Sequence, residues 1–122
     1  MKNIKIIEVP SEIGAGTRGA SLGIEAIKIA ALDFMSNFFV HFPSEKVQVE
    51  NQLLFEPIQS PYAKRINGIL TLYDRVSKAV KDTIKNNFFP VVISGDHSTA
   101  GGTIAGIKMA KPGSMLGVIW ID

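Results

Sequence analysis

Cysteine is absent from the 122 residues. That excludes disulfide staples, a thiolate nucleophile and thiolate zinc sites, and it suits a reducing compartment, so a cytoplasmic location is expected. An excess of one charge is also lacking: 13 Lys and Arg stand against 11 Asp and Glu, a net of +2. The lysines are scattered. Lys78, Lys81 and Lys85 fall at helical spacing, the pattern of a solvated helix face and not of a nucleic-acid patch, so no nucleic-acid partner is expected. Long apolar runs are missing too. The Phe88 to Ile93 stretch has about six residues where a spanning helix needs about 20. Lys2 and Lys5 sit inside a strand-like run and do not precede an apolar leader core, which argues against a standard secretion signal and a membrane anchor.

What remains is 46% hydrophobic and 20% charged, with a mean hydropathy of +0.20. This is the balance of one small folded domain. Ile4 to Val9 is β-branched and ends at Pro10, so it reads as a strand. Gly14, Gly16, Gly19 and Gly23 then mark a loop, with Ser21 as a cap for the next helix. Ile24, Ile27, Ala31 and Phe34 recur at helical spacing, predicting a helix that ends near Asn37. Val47-Gln48-Val49 alternates as a short second strand, and Asn51 to Pro61 reads as loop. Ile66, Ile69, Tyr73, Val76, Val80 and Ile84 define the clearest amphipathic helix. Phe88 to Ile93 reads as a strand buried on both faces. Ser94 to Ser98 is a polar turn, Thr99 to Ala110 a small-residue helix, and Leu116 to Ile121 a final apolar strand. The order βαβαβαβ defines an α/β fold with a parallel sheet. A last strand that ends the sequence at Asp122, with no helix after it, is expected of the front part of a longer protein.

Open α/β sheets bind ligands at the carboxyl ends of their strands. Asp96-His97 follows the third predicted strand, and Asp122 the fourth. An imidazole and a carboxylate converging there suit Mn²⁺, Zn²⁺ or Fe²⁺. The plainer alternative is a hydrogen-bonded turn that caps the following helix. A second candidate is Gly14-Ala15-Gly16-Thr17-Arg18-Gly19, a literal G-x-G-x-x-G whose amides could hold a pyrophosphate, with Glu50 on a ribose. Four residues separate it from the strand, and Glu50 lies beyond the roughly 20-residue spacing of a dinucleotide fingerprint, so a flexible loop is preferred. Arg18 suits a surface salt bridge better than an anion. His41 suits a loop or core position, and Trp120 a core one. No G-x-S-x-G, H-E-x-x-H or P-loop is present.

Three segments, in order across nearly the whole chain, resemble the ureohydrolases: arginase, agmatinase and formimidoylglutamase. Ser94-Gly95-Asp96-His97-Ser98 is similar to that family's first metal motif, Gly-Gly-Asp-His-Ser. Gly117-Val118-Ile119-Trp120-Ile121-Asp122 resembles the strand that leads into Asp-Ala-His-x-Asp. Gly14 to Gly23 with Ile24-Glu25-Ala26-Ile27 resembles the N-terminal segment of arginase. The resemblance implies a doubly wound α/β domain about twice this length or more, of which residues 1–122 form the N-terminal part. It implies two Mn²⁺ ions, with His97 a terminal ligand of one and Asp122 the carboxylate shared by both. Asp96 is then a residue that orients the His97 turn without binding metal. The implied reaction is hydrolysis of a guanidino or amidine C–N bond, most like that of arginase, with agmatinase or formimidoylglutamase as alternatives. Homo-oligomers, trimers or hexamers, are implied for the complete form. A non-catalytic relative and a nucleotide-binding module are the readings from other classes. Ser94 replaces the usual first glycine, which would cost about 1 kcal/mol or more if that position needs positive φ and nothing otherwise. The family's remaining ligands and proton-transfer residues have no counterpart here, so the 122-residue chain alone is expected to be inactive and prone to aggregate.

Overall fold

The computed structural model describes residues 3–121, and Asp122 lies outside them. Three parallel strands form one sheet in the order β2-β1-β3: β1 is Asn3–Val9, β2 Ser44–Lys46 and β3 Phe88–Ser94. Ile6 pairs with Ser44 on one side and with Val91 on the other. The helices are α1 (Gly23–Asp33), the single-turn α2 (Phe38–His41), α3 (Ile66–Lys85) and α4 (Ala100–Ala110).

Chain direction alone explains where the helices lie. The connection from β1 to β2 steps one way along the sheet, and the connection from β2 to β3 steps the other way, back across β1. Right-handed crossovers therefore put α1 and α3 on opposite faces of the sheet. Side-chain parity agrees. Ile7 and Val9 enter one core with Leu72, Val76, Ala79 and Val80 of α3, while Glu8, on the other face, meets Lys28 of α1. The fold is thus α/β and wound on both faces, as expected. In α4, Gly106 lets the helix approach α3, since a Cβ there would fall 2.6 Å from the Ser77 carbonyl oxygen.

Several expectations change. The second strand is Ser44–Lys46, three residues earlier than the Val47 alternation suggested. Val47 is buried in the core just past the ladder and donates its amide to Glu8 O at 2.8 Å. Helix α1 stops at Asp33, and Met35 turns into the left-handed region. Only Ile24 of its apolar stripe is buried. Five residues of the expected loop, Asn51–Phe55, form a 3₁₀ helix. β3 is half-buried along most of its length, not enclosed on both faces. Leu116 to Ile121 forms no strand: a strand needs a ladder partner, and among the described residues this segment has none. Trp120, expected in the core, is accordingly 55% exposed. No helix among the described residues is long and apolar enough to cross a membrane.

Candidate metal centre at the carboxyl end of the sheet

The polar turn after β3 is built around one carboxylate. Asp96 caps the 3₁₀ turn His97–Thr99, its Oδ1 accepting from the Ser98 amide at 2.8 Å and from the Ser98 hydroxyl. Its Oδ2 accepts from the amides of Gly14 and Ala15 at 3.0 and 3.2 Å. Both oxygens are therefore engaged, and the carboxylate ties the Gly-rich loop to the turn that carries His97. The close fit depends on two glycines. A Cβ on Gly95 would lie 2.3 Å from Ser11 O, and one on Gly14 would lie 2.5 Å from Ser98 Cβ.

Ser94 answers the question its sequence raised. It has no positive φ, and its hydroxyl donates to Asp96 O at 2.9 Å. The serine is unstrained and adds a bond to the turn.

His97 is exposed at the carboxyl end of β3. Its ring stands edge-on to Trp120, centroids 5.4 Å apart, in an open recess of about 470 Å³ that also includes Val92, Thr103 and Ile104. An accessible imidazole on a fixed turn fits a Mn²⁺ ligand. It is one ligand of a set: among the described residues no three His, Asp or Glu side chains gather to hold a metal. Asp122, the other expected ligand, is outside the described residues. The turn-and-cap arrangement raised as the plainer alternative is also present, and it does not compete with ligation because the capping group is Asp96, not His97.

The Gly-rich loop is not an open phosphate cradle. Gly14 and Ala15 give their amides to Asp96, and Gly19 gives its amide to Glu12. Glu12 is the residue the sequence did not flag. It is fully buried. Its Oε2 accepts from the amides of Gly19 and Ser21 at 2.8 and 3.0 Å, and Arg18 Nε lies 2.8 Å from Oε1. The Ser21 amide first, then those of Gly19, the Ser21 hydroxyl and the Arg18 charge, hold its carboxyl below the usual value of 4.5 against the opposing effect of burial. A glutamate three residues past a strand, just ahead of a glycine loop, was the available signal. Arg18 also lies over the Phe55 ring, 5.1 Å from its centroid. His41 is in α2, exposed, against Phe42. Glu50 pairs with Arg75 of α3 and is not free for a ribose.

The fold and the strand-end turn define a doubly wound α/β protein with a histidine-bearing site at its carboxyl edge. The arginase family model matches residues 2–122, and the chain belongs to that family. It is 33% identical over 132 residues to an arginase of Brevibacillus brevis and 32% identical over 130 residues to one of Bacillus subtilis. In each case 99% of this chain and 40% of the relative are covered. The crystal structure of the Bacillus subtilis arginase superposes with a TM-score of 0.67 at 27% identity, covering 89% of this chain and 35% of that one. The Bacillus caldovelox arginase gives 0.66 at 26% identity, covering 89% and 37%. The chain thus spans about 40% of the length of the curated relatives it matches.

Proposed function

We propose that residues 1–122 are the front part of a single ureohydrolase domain that hydrolyses a guanidino C–N bond with Mn²⁺, most closely an arginase converting arginine to ornithine and urea. The observation that carries this reading is the exposed His97 imidazole, held on a turn whose neighbouring carboxylate is fully engaged elsewhere. In this role His97 and Asp122 would hold metal. Asp96 would act at one remove, fixing the His97 turn against the Gly14–Ala15 loop. Mn²⁺, when bound, supplies an acidified water as the nucleophile for the guanidinium carbon. The ring of Trp120 limits the directions from which His97 can be approached. We extend this reading to a cytoplasmic enzyme that is a homo-oligomer, trimer or hexamer, in its complete form; that the relatives are arginases supports a small guanidino or amidine substrate.

The test joins these 122 residues to the remainder of the Bacillus subtilis arginase and assays Mn²⁺-dependent urea release. Arginine, agmatine and formiminoglutamate are compared, with formamide measured for the last. The chimera is expected to act on arginine, and His97→Ala to lose about 100-fold or more in activity together with Mn²⁺ affinity. The 122 residues alone are expected to release no urea. A folded chimera in which His97→Ala matches its parent would sink the assignment.

A further inference from the structure

The turn after β3 has to aim an imidazole that no hydrogen bond holds. Among the described residues the His97 ring takes part in none, and it meets the edge of the Trp120 ring. A metal-binding histidine ordinarily has its second nitrogen fixed by a carboxylate or a carbonyl. Without such a partner, the direction of the ring depends on the backbone beneath it. Two groups set that backbone. The Asp96 carboxylate accepts from the Ser98 amide at 2.8 Å, one residue past the histidine. The Asp96 carbonyl belongs to the peptide bond that enters His97, and the Ser94 hydroxyl donates to it at 2.9 Å. Thr99 Oγ1 reaches the same oxygen only at 3.4 Å, a weak contact. Ser94 is the rigid end of this link. It is the register partner of Val9, which is fully buried, and the following amide, that of Gly95, donates to Val9 O at 3.1 Å.

We propose that Ser94 is a positioning residue for the metal centre. Its hydroxyl locks the peptide plane between Asp96 and His97, so the imidazole is already aimed before any metal arrives. Ser94 acts through the turn and not on the substrate. A glycine there, as in the motif this turn resembles, leaves the Asp96 carbonyl with Thr99 alone and loosens the strand end. A turn that is ordered in advance loses less conformational freedom when an ion binds, so serine tightens Mn²⁺ binding relative to glycine. One hydrogen bond of this kind corresponds to about three- to tenfold. The effect on Mn²⁺ rests on the reading of His97 as a ligand; the order of the turn does not.

The chimera with the remainder of the Bacillus subtilis arginase carries the test. Hydrogen exchange is read at the His97, Ser98 and Thr99 amides of the metal-free protein, and Mn²⁺ affinity by calorimetry. Ser94→Ala and Ser94→Gly should each speed exchange at those amides about three- to tenfold and weaken Mn²⁺ binding by a similar factor. The α3 amides should not change, nor should KM for arginine at saturating Mn²⁺. Ser94→Thr keeps the hydroxyl and should restore the parent values. A general loss of packing would move the α3 amides as well, and threonine would not rescue it. The proposal is overturned if Ser94→Ala exchanges at the turn as the parent does, or if Ser94→Thr fails as alanine does. Equal Mn²⁺ affinity in His97→Ala and its parent would sink the metal assignment instead, and the exchange rates would still decide the role of Ser94.

Discussion

A carboxylate with no exposed surface ordinarily titrates high, because burial disfavours its charge. Glu12 goes the other way, since amides and a guanidinium converge on it. Its folded-state pKa lies below the unfolded one, so its contribution is complete above pH 4.5 and is lost as pH falls through the folded value. Acid denaturation followed by circular dichroism should therefore show a steep limb below that pH. Glu12→Gln should flatten the limb and cost about 1–3 kcal/mol at neutral pH, because the Gly19 and Ser21 amides lose a charged acceptor. Lys28 has the opposite sign. The Glu8 carboxylate first, then Glu25, raise it above 10.5, so its contribution is present at neutral pH and lost only as pH rises through the raised value. Asp96 is the other residue on which the loop depends. Asp96→Ala should speed hydrogen exchange at the Gly14 and Ala15 amides while leaving those of α3 unchanged. Equal exchange at the loop amides in both proteins would remove Asp96 from that role.

At the scale of elements, α3 carries the core. Leu72, Val76 and Val80 are fully buried on one stripe against Ile7 and Val9. Leu72→Ala should cost about 2–5 kcal/mol in chemical denaturation, through lost transfer energy and the cavity left behind. This helix was legible from periodicity alone, as were β1 and β3, because each repeats or runs apolar over enough residues to exclude other readings. β2 was not. Three exposed residues, Ser44–Lys46, carry its ladder, and their place is set by backbone pairing with β1, which leaves no apolar trace in the sequence. Leu116 to Ile121 fails in the reverse sense. Its apolar pattern promises a strand, but only a neighbouring strand can make it one. Of the site, the Asp96-His97 turn was legible as a motif at a strand end. The clamp on Gly14 and Ala15 was not, since it joins residues that the sequence keeps far apart, and Glu12 was hidden among ordinary acidic residues.

For the molecule as a whole, the outer edge of β3 decides solution behaviour. Val9 O accepts from the Gly95 amide at 3.1 Å, so alternate residues back along β3 face β1, and Pro90, Val92 and Ser94 turn their backbone outward. Pro90 has no N–H, which removes one donor from an otherwise open edge. Ile119 and Ile121, 91% and 89% exposed, add apolar surface nearby. The isolated chain should elute well above its 13.2 kDa mass and bind a hydrophobic dye. Pro90→Val should make it aggregate faster by restoring the donor. A sharp melt with monomeric elution would contradict this. The clamp at Asp96 also imposes an order in time. Its partners Gly14 and Ala15 leave the ribosome 82 and 81 residues earlier. At about 5–20 residues per second, the glycine loop waits on the order of 4–16 seconds for the carboxylate that fixes it. Throughout that interval Glu12 can already hold the Gly19 and Ser21 end of the loop, while the Gly14–Ala15 end lacks its clamp and stays open to a chaperone or a protease.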